Sequence, residues 1–326
     1  MDWKRIAASV LLLGVLALPA SAASITPQTT MKEIRDDPDI KASGLYTYTY
    51  VWERDCEKLS TSRDDETLTE VVGKTSAEAC AAGLNYLAQV YHDGTRVTYP
   101  LYTDEEIAAV PARAHAELYY CPAQQPGARF AIVLSGNALY YSGELRGGVS
   151  TAWELHEQGY AVFSLRYRIG WEAGDDAPLE DLARAITFVS DHAQELQVDL
   201  EGYSLWGGSA GGRMAAWLGS YGPAAFGGGD LPRAGAVIMQ YPGHSDYTEN
   251  DPPTFACVGE RDGIANWRTM ERRLQALSAL GIPTEFHHYP GLRHGFGLGT
   301  GTVAEGWLDQ AVAFWEANTS PSTPQT

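Results

Sequence analysis

The chain has 326 residues, 44% of them hydrophobic, and a formal net charge of −18 at pH 7. This length and composition favour one globular domain with room for an extension, and they exclude a wholly disordered chain. A surface this acidic repels phosphate backbones and anionic lipid, so nucleic acid is not an expected partner.

The first 22 residues predict a secretory signal peptide. Lys4 and Arg5 precede an apolar run from Ile6 to Leu18, and an Ala-x-Ala cleavage site ends at Ala22. A membrane-spanning helix needs about 20 apolar residues, so this run is too short for an anchor. We therefore expect cleavage after Ala22, no membrane partner for the mature protein, and a secreted or periplasmic location.

Residues 23–113 predict an N-terminal extension that packs on the core. Helical patterns cover residues 31–40 and 76–88, and alternation of Tyr and Thr over residues 45–52 indicates a strand or hairpin. Since no Pro- or Gly-rich linker precedes Ala114, we favour a packed extension over a separate domain.

Four cysteines are present, and two of them, Cys56 and Cys80, lie in this extension. An oxidising compartment permits a bridge between them, but the sequence alone does not decide the pairing. Since there is no Cys-x-x-Cys pair and no His cluster with ligand spacing, we do not expect a metal site.

Residues 114–318 alternate short apolar runs with helical periodicity. Leu179, Leu182 and Ile186 mark one helix face, and a similar stripe begins at Val303. The predicted strands cover residues 114–121, 130–134, 160–167, 203–206, 234–241, 254–259 and 284–289. This alternation predicts a mostly parallel, twisted sheet with helices on both faces. Residues 319–326, mostly Ser, Thr, Pro and Gln, predict a disordered tail.

The strongest local motif is Gly-x-Ser-x-Gly at residues 207–211. A predicted strand leads into it and a helical stretch follows it, which is the context of a nucleophile elbow. The glycines allow a strained turn that exposes the Ser209 hydroxyl, and the helix start directs N–H groups at a forming oxyanion. Ser209 is therefore the candidate nucleophile.

A serine nucleophile needs a base, and His294 is the leading candidate. It lies in a Gly-rich loop between the last predicted strand and the last predicted helix, in the order Ser, acid, His. His244 is the competing candidate because it also follows a strand, although it precedes the candidate acid.

The candidate acid is Asp262, in a turn at the end of the strand that precedes His294. Its carboxylate would accept the imidazole N–H, orient the ring and stabilise the imidazolium. Glu260 and Asp246 are the alternatives, since one lies two residues away and the other follows the preceding strand.

The candidate oxyanion hole combines the N–H of Ala210 with donors in residues 134–139, which we call the oxyanion loop. In this loop Gly136 and Asn137 are the candidate residues, Asn137 through its backbone or its side-chain amide. Four aromatic residues are predicted to line the entrance and bind substrate: Tyr140, Tyr141, Trp171 and Trp206.

From about Glu117 to Asn318 the chain resembles the α/β-hydrolases known as acetyl esterases or acetyl xylan esterases, which are related to the hormone-sensitive-lipase-like esterases. The resemblance rests on stretches in the right order at residues 165–168, 177–186, 207–212, 252–255, 259–262 and 293–297. The oxyanion loop departs from the family pattern, since two of its glycines are replaced.

The resemblance implies a serine esterase that hydrolyses short-chain acyl esters, acetyl esters on carbohydrate above all, through an acyl-enzyme on Ser209 and without a cofactor. Together with the predicted signal peptide, this makes a secreted serine esterase the leading expectation. Two other readings stay open: a serine peptidase of the prolyl-oligopeptidase type, and a hydrolase-fold protein that only binds a ligand. A small-molecule or carbohydrate ester is the expected partner. The oligomeric state is not indicated.

Overall fold

The computed structural model of the chain describes residues 24–45, 50–52, 58–60, 64–141 and 143–319. The predicted signal peptide, Cys56 and residues 320–326 of the predicted tail lie outside these residues.

The helices are α1 (Met31–Asp36), α2 (Pro38–Ser43), α3 (Leu68–Val72), α4 (Ala77–His92), α5 (Asp104–Ala109), α6 (Ser150–Glu157), α7 (Ala177–Asp191), α8 (Ala210–Tyr221), α9 (Trp267–Ala279) and α10 (Trp307–Thr319). The strands are β1 (Tyr50–Trp52), β2 (Lys58–Ser60), β3 (Thr98–Pro100), β4 (Glu117–Cys121), β5 (Ala128–Leu134), β6 (Ala161–Arg166), β7 (Val198–Gly208), β8 (Ala236–Gln240), β9 (Thr254–Gly259) and β10 (Thr284–Tyr289).

Eight strands form one sheet in the order β10-β9-β8-β7-β5-β6-β4-β3. The six strands from β5 to β10 are parallel, whereas β4 and β3 pair antiparallel at one edge. Strands β6, β8 and β9 are buried along their whole length, as expected for a sheet covered on both faces. The predicted α/β-hydrolase architecture, a mostly parallel sheet with helices, is confirmed.

Strand order brings two predicted site loops together. Strand β5 lies between β6 and β7 in the sheet. After β5 the chain forms β6 next to β5 toward one edge of the sheet, and it then forms β7 next to β5 toward the opposite edge. At such a switch point the loops after neighbouring strands open a crevice at the carboxyl edge of the sheet. The oxyanion loop after β5 and the Ser209 turn after β7 meet there.

The region before Ala114 is joined to the sheet and to the core. Strand β3 pairs with β4, so the sheet begins before the predicted first strand. The side chains of Ile34 and Leu84 are fully buried in the same hydrophobic core as the sheet. Helix α3 contributes Val72 to the wall of the central cavity.

Local chemistry shifts several predicted boundaries. The predicted helix over residues 31–40 is two helices, because Pro38 disfavours helical geometry at Asp37 and starts α2 at its first position. The helix that the apolar stripe from Val303 predicts begins only at Trp307, and Val303 itself is exposed. Residue 319, assigned to the predicted tail, still belongs to α10.

The three described cysteines, Cys80, Cys121 and Cys257, are free and buried. The Cys80 thiol donates to the Leu145 carbonyl at 3.3 Å, and burial raises its pKa to about 12. Within the described part of the chain, no helix has the length and apolar character to cross a membrane.

Candidate active site

Ser209 stands at a sharp turn between β7 and α8. Its backbone is in a strained region, with φ at 53° and ψ at −120°, and its N–H donates to the Gln240 carbonyl of β8 at 2.8 Å. A non-glycine residue with positive φ is uncommon and persists only where its surroundings impose it. The turn therefore has the geometry that the Gly-x-Ser-x-Gly motif predicts.

Glycines allow the chain segments around this turn to approach closely. A Cβ atom on Gly207 would lie 2.3 Å from the Gly211 carbonyl carbon, and one on Gly211 would lie 2.3 Å from the Leu134 carbonyl oxygen. Both distances are far below van der Waals contact. Any side chain at these two positions would push α8 away from β5 and β7.

Ser209, His294 and Asp262 form a continuous hydrogen-bond chain. The Nε2 atom of His294 lies 2.9 Å from the Ser209 Oγ, and its Nδ1 lies 2.7 Å from the Asp262 Oδ2. With the imidazole proton on Nδ1, His294 donates to the carboxylate and accepts from the serine hydroxyl. The structure thus brings together three residues that are separated by up to 85 positions in the chain.

The Asp262 carboxylate is buried and held by its own loop. Its Oδ1 accepts the backbone N–H groups of Ile264 and Ala265 at 2.8 and 2.7 Å, which leaves Oδ2 for His294. Across from it, the Tyr241 ring packs against the imidazole with 4.7 Å between centroids. These contacts restrict the carboxylate and the imidazole to the geometry of a relay.

The loops after β9 and β10 are tied to each other by their backbones. The N–H of Arg261 donates to the Leu292 carbonyl at 2.9 Å, and that of Glu260 donates to the Tyr289 carbonyl at 2.9 Å. Because β9 and β10 are parallel neighbours, their following loops leave the sheet side by side. This pairing sets the spacing between acid and base.

The alternative acids and base lie elsewhere. Glu260 accepts the Gly291 N–H at 3.3 Å, and Asp246 accepts the Tyr221 hydroxyl at 2.8 Å. His244 is buried and outside the cavity wall. Burial lowers the pKa of its imidazole to about 4, aided by the positive charges of Arg273 and Arg213.

The oxyanion loop lies directly against the serine. A Cβ on Gly136 would lie 2.8 Å from the Gly208 carbonyl oxygen and 3.0 Å from the Ser209 Cβ. Asn137, Ala138 and the next residue all have positive φ values. The side-chain amide of Asn137 packs on Gly143, and Ala210 is the first residue of α8, where N–H groups lack intrahelical acceptors.

Tyr167 is a site residue that the sequence analysis did not single out. Its buried hydroxyl lies 2.6 Å from the Ser135 carbonyl and 3.0 Å from the Gly136 carbonyl, so it donates to the oxyanion loop. Burial raises the pKa of this hydroxyl, which keeps it a donor. The stretch at residues 165–168 carried a family resemblance, but nothing in it indicated this contact.

A cavity of about 480 Å³ opens above Ser209 and His294, a size typical of small-molecule sites. Gly136 and Asn137 line it, as do the predicted substrate residues Tyr140 and Tyr141. Trp206 also lines it but is a core residue, with its indole N–H donating to the Ser204 hydroxyl.

The structure does not bring Trp171 to this cavity. Trp171 lies on a short 3₁₀ turn, Gly170–Ala173, and is 71% exposed. Sequence proximity to a strand end suggested the cavity, but this turn follows β6, on the far side of β5 from Ser209. Among the described residues, no cluster of three or more His, Cys, Asp or Glu could hold a metal ion.

Residues 117–227 match the sequence model of the BD-FAE family. No curated protein sequence matches the chain. An acetyl ester-xyloside bifunctional hydrolase from Caldicellulosiruptor lactoaceticus is similar in structure, with a TM-score of 0.59, 21% identity, and coverage of 68% of this chain and 95% of its own.

Two further solved structures are similar. Esterase 2 from Thermogutta terrifontis has a TM-score of 0.53 and 20% identity, covering 64% of this chain and 90% of its own. A sugar hydrolase from Lactococcus lactis has a TM-score of 0.54 and 20% identity, covering 62% of this chain and 94% of its own. This chain therefore has the α/β-hydrolase fold, and its central part matches the BD-FAE family.

Proposed function

We propose that the protein is a serine esterase that hydrolyses short-chain acyl esters, acetyl esters of carbohydrates above all. The observation that carries the proposal is the hydrogen-bond chain from the Ser209 hydroxyl through His294 to the buried Asp262 carboxylate. A base within hydrogen-bond reach of a strained serine, itself oriented by a carboxylate, is the arrangement that activates a hydroxyl for attack on a carbonyl.

In the first half-reaction, the Ser209 Oγ attacks the ester carbonyl and its proton passes to the His294 Nε2. The tetrahedral intermediate collapses, the imidazolium returns that proton to the leaving alcohol, and an acyl-enzyme remains on Ser209. A water molecule then loses a proton to His294 and attacks the acyl carbon. Collapse releases the carboxylic acid and restores the serine hydroxyl.

The oxyanion forms beside the start of α8. We assign its stabilisation to the backbone N–H groups of Ala210 and Asn137, with Gly136 allowing the close approach of the loop to Ser209. The positive end of the α8 dipole favours the same negative charge. Tyr167 acts through the loop, by holding the Ser135 and Gly136 carbonyls.

The substrate class is argued from the cavity and from the similar proteins. A cavity of about 480 Å³ has room for a small acyl group and part of an alcohol. Tyr140, 57% exposed on its wall, offers a ring on which a sugar could stack. Similar structures include the bifunctional hydrolase named above and a carbohydrate esterase from gut microbiota.

The test compares the mature protein with Ser209→Ala on p-nitrophenyl acetate, longer acyl esters, acetylated xylan and a peptide amide. We expect the substitution to lower kcat on the esters by at least about 1,000-fold. Ser278→Ala, on the exposed face of α9, is the matched control and should leave the rate unchanged.

A fluorophosphonate probe separates the remaining outcomes. We expect it to label Ser209 and not the Ser209→Ala variant. Equal ester rates in both proteins, with no labelling, would show a fold that only binds a ligand. Turnover of the amide without the esters would make the protein a peptidase.

The predicted signal peptide supports a secreted or periplasmic location for this activity. Expression of the full chain in a secreting host should yield a protein whose intact mass is that of a chain beginning at Ala23. A mass that includes Met1 and recovery from the cytoplasm would oppose this location.

A further inference from the structure

Arg146 is an unusual member of the cavity wall. Among the described residues that line the cavity, it alone has a permanently charged side chain, and the others are apolar, glycine, hydroxyl or amide residues and His294. The protein as a whole has 41 acidic and 23 basic residues. A cavity without a described carboxylate and with one guanidinium therefore differs in sign from the rest of the molecule.

The Arg146 guanidinium is not used to hold the fold. It is exposed and has no hydrogen-bond or ion-pair partner in the described part of the chain. Arg168 and Arg273, by contrast, are buried and paired with Asp181 and Asp251. All the donors of the Arg146 guanidinium are thus available to a ligand.

The backbone that carries Arg146 is held in place. It belongs to a π-helix, Glu144–Val149, a rare form that is frequently found at functional sites. The Cys80 thiol donates to the Leu145 carbonyl, and Gly83 of α4 allows close packing against Val149. The extension therefore supports the segment that presents the guanidinium.

The same segment packs against the reaction centre. A Cβ on Gly147 would lie 3.4 Å from the Cα of Ser135, at the start of the oxyanion loop. The positive charge of Arg146 also opposes the rise that burial causes in the pKa of Tyr241, whose ring packs on His294. Arg146 therefore lines the same cavity as Ser209 and His294, on the segment that packs against the oxyanion loop.

We propose that Arg146 is a specificity-determining residue and that the preferred ester carries a carboxylate which pairs with its guanidinium. This inference rests on the proposed esterase function and narrows its substrate class. The planar guanidinium matches a carboxylate with two parallel hydrogen bonds, which neither glycine nor a hydroxyl on the same wall can offer.

The net charge of −18 opposes the approach of an anion from a distance. Salt screens exposed charges beyond about 8 Å at physiological ionic strength. Within the cavity a bound anion meets the Arg146 guanidinium, the one permanently charged side chain among the described lining residues. The cavity wall therefore carries a positive group on a molecule whose net charge is negative.

Two substrate pairs locate the carboxylate. On the alcohol side, 4-acetoxybenzoate is compared with the neutral 4-acetoxybenzamide. On the acyl side, the 4-nitrophenyl monoester of adipic acid is compared with its neutral adipamate counterpart. Arg146 should recognise the carboxylate on either the alcohol side or the acyl side. In the pair that tests that side, Arg146→Gln should lower kcat/KM for the anionic ester about tenfold and for the neutral ester less than about twofold.

Three further variants sharpen the result. Arg146→Lys keeps the charge without the planar fork and should lose part of the preference, and Arg146→Glu should reverse it. Arg293→Gln removes an exposed guanidinium that does not line the cavity, and it should leave the preference unchanged. Equal losses for both members of both pairs in Arg146→Gln would overturn the inference.

Binding without turnover separates this inference from the proposed function. Calorimetry measures the affinity of the anion site even if no ester is cleaved. The ligands are 4-acetamidobenzoate and the monoamide of adipic acid, and each is compared with its fully neutral counterpart. We expect Arg146→Gln to weaken one anion about tenfold. Failed labelling of Ser209 would remove the esterase proposal alone, and unchanged binding of both anions would remove the anion site alone.

Discussion

Two neighbouring loops at the carboxyl edge of the sheet place the reacting groups, and they are stabilised in different ways. In the turn after β7, positive φ among non-glycine residues is confined to Ser209, and glycines on both sides allow the packing that imposes it. In the oxyanion loop after β5, three successive non-glycine residues have positive φ: Asn137, Ala138 and Leu139. Each such residue costs about 1 kcal/mol or more.

The difference shows where the site is rigid and where it depends on a few contacts. The Ser209 turn is fixed by its strand, its helix and the Gln240 carbonyl. The oxyanion loop is fixed by contact with Gly208 and by the Tyr167 hydroxyl. We therefore expect single substitutions at these contacts to change the oxyanion loop without unfolding the protein.

The largest effect should come from the hydrogen-bond chain that ends at the rigid Ser209 turn. Asp262→Asn keeps the shape of the residue but offers His294 an amide that no longer stabilises the correct tautomer or the imidazolium. We expect kcat on p-nitrophenyl acetate to fall about 10,000-fold with KM little changed. The matched control is Asp309→Asn on α10, and comparable rates for Asp262→Asn and wild type would remove Asp262 from the relay.

Gly136→Ala tests the contact that holds the oxyanion loop against the serine. Its Cβ would lie 2.8 Å from the Gly208 carbonyl oxygen, so the loop must move away from Ser209. Loss of one oxyanion donor lowers kcat about 100- to 1,000-fold, while fluorophosphonate labelling should slow with it. Gly174→Ala, which meets no atom within 4 Å, should have wild-type rates.

The buried His244, which lies next to the loop that holds Asp262, should make the stability of the protein depend on pH. Gly243 packs on Ala265, whose N–H holds the Asp262 carboxylate, and the adjacent His244 is buried with its pKa lowered from 6.5 to about 4. Between these values the unfolded chain binds a proton that the folded protein does not. The stability contribution is therefore complete above pH 6.5 and declines as the pH falls to about 4, by about 3 kcal/mol in total.

Urea unfolding at pH 7.5 and pH 4.5 measures this contribution. The stability of His244→Gln should depend less on pH than that of the wild type over this range. His288→Gln, at an exposed histidine, should keep the wild-type dependence. An unchanged pH dependence in His244→Gln would oppose the assignment.

The smallest effect should come from Tyr167→Phe, which removes one donor to the oxyanion loop and keeps the ring. We expect kcat to fall about tenfold with KM little changed, since the hydroxyl positions the loop and does not reach the substrate. Tyr120→Phe is the matched control, because its buried hydroxyl donates to the Leu196 carbonyl at 2.7 Å far from the site. Equal losses of stability with a kcat change only in Tyr167→Phe would support a positioning role.

Several elements could be predicted because local chemistry specifies them. The predicted strands at residues 254–259 and 284–289 coincide with β9 and β10, since β9 is an apolar run, β10 contains Thr and aromatic residues, and both lead into Gly-containing turns. The Gly-rich motif around Ser209 likewise specifies its own strained turn. Strand β3 was not predicted, because three residues of a pairing edge carry too little pattern.

For the candidate site, the sequence by itself determined which residues could react: a serine between glycines, a histidine and an aspartate in chain order, and a loop after an early strand. Their chemistry resides in local motifs, which a single chain displays. Only the tertiary structure decided that Tyr167 supports the oxyanion loop, that Trp171 lies away from the cavity, and that Arg146 is the charge within it. These facts depend on strand order and on the packing of the extension, which join residues distant in the chain and leave no local pattern.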